Sequence, residues 1–316
     1  MPLRLLRHSA LTRAAWDACL AAARPAALPY AEWWWLQATA GRWDAVVELD
    51  EATGAYRSVL PLPVKWRPWG REVYQPPFTQ QLGLLTTAAS QHRHLPDYLA
   101  LLPGRYARFY QQLHTAQELT AAPPGFSLTH RHTYQLSLAA PYAELLAGYT
   151  AEFRRRLRHN QKQPEPLVVT EAAGVKELIA LFRREKGRAA GLRERHYGRL
   201  RHLVAELQDR QLAWALQVRH PATGQLLAGA LFVRHTGGLI YLLAAASAEG
   251  KKAHGPQLLL DHVIRHGAGT PGLVLDFEGG MIPSIARFFA NFGAAPVPYA
   301  ALSFTSQRPW YLQWMR

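Results

Sequence analysis

Residues 226–247 read LLAGALFVRHTGGLIYLLAAAS, residues 248–267 read AEGKKAHGPQLLLDHVIRHG, and residues 273–294 read LVLDFEGGMIPSIARFFANFGA. Two apolar runs, 226–233 and 239–243, flank His235-Thr236-Gly237-Gly238, which suits a strand–turn–strand hairpin because glycine accepts positive φ at little cost. A basic loop, 249–256, follows, and Pro256 then marks the start of an apolar helix, since proline is tolerated in the first helical turn. A helix N-terminus presents unpaired N–H groups and partial positive charge. With Lys251, Lys252 and Gly255 in front of it, this loop reads either as a phosphate cradle or as a solvated basic loop. The order is then a strand at 273–275, an acidic turn Asp276-Phe277-Glu278-Gly279-Gly280, and a second helix.

That order, closing in ARFFANFGA, resembles the GNAT N-acyltransferase fold, and more narrowly its FemAB-related, double-GNAT bacterial branch. The resemblance implies an acyl-CoA pyrophosphate held on a loop of the form Gln/Arg-x-x-Gly-x-Gly/Ala. Here Lys252-Ala253-His254-Gly255-Pro256-Gln257 keeps the basic residue and the first glycine but has Gln257 at the last position. It also implies a tyrosine acid four residues before a closing glycine, where this chain has Phe289 before Gly293-Ala294. The cofactor residues so implied are Lys251, Lys252, His254, Gly255 and Gln257.

The chain has 316 residues, 49% of them hydrophobic, enough for two ordinary domains with their own cores. It contains no run of about 18 apolar residues, so no membrane span is expected. Its first residues, MPLRLLRHSALTRAAW, lack the apolar core of a signal peptide. One cysteine, Cys19, fits a reducing cytoplasm and reads as a small buried apolar residue. A net charge of +14 favours anionic partners such as CoA phosphates, tRNA or anionic lipid surfaces. No zinc-finger, Walker or G-x-G-x-x-G spacing occurs, and no metal site is expected.

In chain order, residues 11–23 read as a helix broken by Pro25 and Pro29, and Trp33-Trp34-Trp35 lies in a second short helix with one or two tryptophans in the core. Strands are expected at 43–49 and 55–64. The Pro-rich run 74–83, containing Gln80 and Gln81, reads as a substrate-cleft wall or a structural crossover, and resembles the N-terminal half of a FemAB-like subgroup. A helix interrupted near Pro103-Gly104 is expected over 95–113, a strand over 126–138, and a long helix from Pro141, with Leu145, Tyr149, Phe153 and Leu157 on one face. Its basic end, 153–162, contains Arg156 and Asn160, which match an Arg/Asn pair of FemAB-like enzymes; a solvated basic face is the other reading. Lys186–His196, basic and glycine-containing, is expected as a mobile loop over the cleft.

These readings give an α/β (α+β) protein of two tandem GNAT-like domains, each a mixed, mostly antiparallel sheet flanked by helices. The domains are 1–140 and 141–316, the second starting with a basic linking helix, 141–163, and a cleft is expected between them. The expected activity is acyl transfer from acyl-CoA to an amine. In that site Glu278 is the base, Tyr241 a hydrogen-bonding group, and Arg156, Asn160, Gln80, Gln81 and Phe277 contact substrate. For Asp276 helix capping is preferred, and Ser284 reads as an ordinary first-turn residue. Two alternatives stand beside this: an aminoacyl-tRNA-dependent transferase of the FemAB type, acting on a cell-wall or lipid-precursor amine, and a non-catalytic anion-binding protein.

Overall fold

The computed structural model describes residues 1–24 and 28–306; Pro25 lies outside them. The chain forms two compact units, one of Met1–Arg131 with the segment from Pro298, the other of His132–Val297. This differs at both ends from a division at 140/141. Gln135–Ser137 already pair with the second unit's strand at Val274–Asp276, and Ala301–Thr305 return to pair with Arg108–Gln112 in the first unit.

The first unit contains β1 (Leu3–Leu6), α1 (Arg13–Ala22), α2 (Trp33–Thr39), β2 (Trp43–Leu49), β3 (Tyr56–Arg67), β4 (Gly70–Val73), β5 (Leu85–Thr86), α3 (Leu95–Leu99) and β6 (Arg108–Gln112). The chain leaves this unit within β7 (Ser127–Ser137). The helix expected over 95–113 is one short helix followed by a strand: Pro103-Gly104 ends the helical stretch, and Phe109 and Gln111 alternate inward from β6. Antiparallel pairing joins β1 to β2, β2 to β3 and β3 to β4, while β4 and β6 run parallel. Trp35 is fully buried, and Trp33 and Trp34 are half-buried.

The second unit continues with α4 (Tyr142–Ala147), α5 (Ala151–Gln161), β8 (Val169–Glu171), α6 (Lys176–Glu185), α7 (Glu194–Asp209), β9 (Ala213–Arg219), β10 (Leu226–His235) and β11 (Gly238–Ala246). Then come α8 (Ala248–Lys252), α9 (Gly255–Gly267), β12 (Val274–Asp276), α10 (Pro283–Ala290) and β13 (Ala295–Thr305), within which the chain re-enters the first unit. The strand order in this unit is β7-β12-β11-β10-β9-β8, with one parallel pair, β11–β12. The long helix expected from Pro141 is two helices, interrupted at Gly148–Thr150, where Thr150 N–H turns to the Asn291 carbonyl. Leu145, Tyr149, Phe153 and Leu157 are nevertheless all buried in one core with β9–β12 and α9. The β10–β11 turn is Thr236-Gly237, with His235 facing Gly238 and Gly237 at φ +75°, so a side chain at 237 would meet strain. Among the described residues no helix is long and apolar enough to cross a membrane.

Candidate functional site

β11 is long and its parallel partner is short. The β11–β12 ladder joins Gly238, Leu239 and Ile240 to Val274, Leu275 and Asp276 and stops there, while β11 runs on to Ala246. From Tyr241 onward the β12-side edge of β11 has no strand beside it among the described residues. A cavity of about 350 Å³ opens along that stretch, lined by Tyr241 and Ala244–Ala246, by Ser284, Ile285, Phe288 and Phe289 of α10, and by His254, Pro256 and Gln257 at the start of α9. Arg156, Lys186 and Lys251 complete the lining with cations. All of these residues belong to the second unit.

The expected basic loop is largely helical. Ser247 caps α8, its hydroxyl accepting from Gly250 N–H at 2.9 Å, and His254 then turns through left-handed backbone, φ 57°, into α9. Gly250 lies so close to β10 that a Cβ there would sit 1.9 Å from the Leu227 carbonyl oxygen. This contact seats the α8–α9 corner directly on the sheet. Gln257, in that first turn, is 2% exposed; its Nε2 donates to the Phe153 carbonyl at 2.8 Å, while Oε1 has no hydrogen-bond partner.

The charges around the cavity are only partly balanced. Arg156 pairs with Glu152, and Lys251 lies 3.6 Å from Glu185. Desolvation and the like charge of Lys251 lower the Lys186 pKa. Desolvation, then the Arg156 guanidinium, lowers that of His254, so its ring is neutral near pH 7. Burial pushes the Tyr241 hydroxyl well above the ordinary phenol range, which leaves it a hydrogen-bond donor rather than a base.

The acidic turn adjoins the cavity wall. Asp276 accepts from Thr133, Gln135 and the Glu278 N–H at 2.6, 2.9 and 2.8 Å. Burial raises its pKa against those three bonds. It therefore braces the turn and does not cap α10, whose N-cap is Ile282. Glu278 is half-buried at φ 51° and is not among the residues lining the cavity; its neighbour Gly279 packs on Phe289, which is.

The structure brings Tyr241, Lys251, His254, Gln257 and Arg156 of the expected site residues to one cavity. Lys252 and Asn160 fall instead on a neighbouring recess of about 280 Å³, which shares Arg156, His254 and Gln257 with it. Asn160 has both halves of its amide engaged with the Leu167 backbone, at 2.9 and 3.0 Å, and acts there as a fastener between α5 and the segment leading to β8. Phe277 is 2% exposed and stacks in the core on Phe289, so it is a wall behind the site and not a substrate contact. Gln80 and Gln81 belong to the first unit; Gln81 is buried, bonded to Gln80 and to the Thr115 N–H, which favours the crossover reading of that run. The residues missed were Lys186, Ser284, Ile285 and Phe288. The last three share a face with Phe289 at helical i, i+3 and i+4 spacing, a signal present in the sequence. Lys186 carried no such signal.

Residues 148–282 match the family model for the acetyltransferase (GNAT) domain. That stretch, less than half of the chain, is similar to the GNAT domain. Among solved structures, FemX matches with a TM-score of 0.62 at 13% identity, covering 100% of both chains. A tandem GNAT protein from the clavulanic acid biosynthesis pathway matches at 0.54 and 16% identity, covering 98% of this chain and 100% of that one. The C-terminal domain of a putative lysylphosphatidylglycerol synthetase from Agrobacterium fabrum matches at 0.50 and 14% identity, covering 83% and 84%. At these identities the likeness is one of fold, and the fold is that of tandem GNAT proteins. No curated protein sequence matches the chain. The GNAT domain contains the strands of the site, α8, α9 and the acidic turn, while Phe288 and Phe289 lie just past the matched span.

Proposed function

We propose that the second unit transfers an acyl group from acyl-CoA to an amine acceptor. The observation that carries this reading is the cavity along the unladdered part of β11, lined also by the first turn of α9 and by three cations. Peptide groups on a free strand edge suit the amides of a CoA arm. Arg156 and Lys251 suit its phosphates, and the apolar face of Ile285, Phe288 and Phe289 suits the acyl end. The Gln257 Oε1 would accept from a donor on the bound arm.

Transfer needs a neutral amine, so a base matters more than an acid. A thiolate is a tolerable leaving anion, and Phe289 has no proton to give. Glu278 takes the base role in this reading, binding the ammonium at the turn beside Phe289 and accepting its proton. Tyr241, neutral at physiological pH, donates a hydrogen bond to substrate. The setting is the cytoplasm, in keeping with one buried thiol, Cys19, pushed up to about 12 by burial and by nearby Glu48.

A second reading, an aminoacyl-tRNA donor, is favoured by the basic recess beside the cavity and by Arg155 and Arg158, exposed on α5 next to it. Calorimetric titration with CoA separates the two. Binding that weakens in Lys251→Ala/Lys252→Ala, with a flatter salt dependence, is the expected result. No heat with CoA, together with tRNA retained on purification, would move the assignment to the second reading.

A further inference from the structure

We propose that Lys186 is a self-acylation site: in the absence of acceptor, its amine takes the acyl group of the bound donor. The inference rests on the acyl-CoA reading of the cavity. Three observations lead to it. Lys186 lines the same cavity as Tyr241, Phe289 and the first turn of α9, and is exposed, so it borders the opening. Its two cationic neighbours have carboxylate partners, Glu152 for Arg156 and Glu185 for Lys251, whereas among the described residues no carboxylate pairs with Lys186. The chain also draws its positive charge mainly from arginine, with lysine supplying six of 36 basic residues, yet this cavity has two of the six. Arginine serves a phosphate as well or better and stays charged. An amine can lose its proton, and the lowered pKa of Lys186 increases its neutral fraction at any given pH.

The step balances without a further reactant. The neutral Nζ attacks the thioester carbonyl carbon, the C–N bond forms and the C–S bond breaks. CoA departs as thiolate, the proton lost from nitrogen passes to water or to that thiolate, and the side chain becomes a neutral amide. Acylation therefore removes one of the three cations that line the cavity and weakens the next donor's binding. The device limits the enzyme when acceptor is scarce.

The test incubates the full chain with acetyl-CoA between pH 7 and 9, follows intact mass and maps the labelled lysine, with CoA titrated calorimetrically in parallel. The expected result is a single acetyl group at Lys186, added about tenfold or more faster than at any other lysine because the donor is held beside it. The rate should rise with pH, and excess free CoA should suppress it. Lys186→Arg should still bind CoA and take up no label. CoA binding without label at Lys186 overturns self-acylation and leaves the acyl-CoA reading standing, and Lys186 is then a phosphate ligand. Label spread evenly over Lys65, Lys162, Lys176, Lys251 and Lys252, or label that free CoA does not suppress, does the same. No CoA binding and no label overturns both.

Discussion

Asp44 in the first unit is 1% exposed and accepts from Arg7, Arg71 and Tyr106 at 2.7, 2.9 and 2.8 Å; Gln257 in the second is 2% exposed and leaves one oxygen with no donor. The contrast extends beyond these two residues. Glu48, also buried, accepts the N–H groups of Gln91 and His92, and Gln81 is bonded to its neighbours. In the second unit Lys186 lines a cavity with no carboxylate partner, and β11 extends past its partner strand. A buried polar group without a partner costs about 1–3 kcal/mol. Gln257 is the one such group among the described residues that lines the cavity, and a ligand there would supply its missing donor. The first unit has unpartnered buried polar atoms too, on Trp43, Arg57, Thr87 and Gln111 among the described residues, but none of these four lines the cavity.

The sharpest test of this contrast is Glu278→Gln, which keeps shape and removes charge. Turnover should fall by roughly 10²–10⁴ with the fold intact by circular dichroism, the usual worth of a general base. Near-normal turnover with the true acceptor would make the acidic turn scaffold, and return catalysis to binding and orientation alone. Next comes Asp44→Ala. It removes the acceptor of two partly exposed guanidinium groups and of the buried Tyr106 hydroxyl, and should lower unfolding free energy by about 1–3 kcal/mol in urea titration, with activity per folded molecule kept. Loss of activity without loss of stability would give the first unit a direct chemical role.

Smaller effects come from titration. Burial depresses the pKa of His114, whose ring lies against the Leu84 carbonyl, below the ordinary 6.5. The unfolded chain then binds the proton more readily than the folded one. The stability this group contributes is fully present above the ordinary value and is lost as pH falls through the depressed one. Melting temperature should decline from pH 7 to pH 5, and less steeply in His114→Gln. The smallest effect is expected for Phe289→Tyr. The ring packs on Phe277 at 4.7 Å and edge-on to Tyr241 at 6.2 Å, an environment built without a hydroxyl at that position. Turnover should change little; a large gain would mean the site wants an acid there after all.

How far the sequence discloses this molecule depends on whether the signal is local. Strand 43–49 is a run of apolar and β-branched residues and agrees with β2 residue for residue. The β10–β11 hairpin follows from its glycine turn, and α9 from Pro256 and the spacing of Leu259, Leu260, Val263 and Ile264. The interruption of the helix after Pro141 was less legible, because Leu145, Tyr149, Phe153 and Leu157 keep one face across the break and periodicity reports the face. Among site residues, those carried by motif spacing, Lys251, His254 and Gln257, do reach the cavity. Gln80, Gln81 and Phe277 do not line it, since residue type alone does not say whether an amide or a ring is consumed by its own surroundings. Lys186 was legible only as the first residue of a basic loop over the cleft, because which residue of such a loop lines the cavity is a tertiary fact with no local signature.

The short β11–β12 ladder also has an isotopic consequence. Beyond Ile240, the peptide N–H groups of β11 that point away from β10 have no adjoining strand to donate to among the described residues. In deuterated solvent they should exchange faster than the amides of β10, which is flanked by strands on both sides. A molecule laid along that edge would slow them. The strand thus carries its own occupancy gauge, readable by mass spectrometry peptide by peptide, in any variant and with no turnover at all.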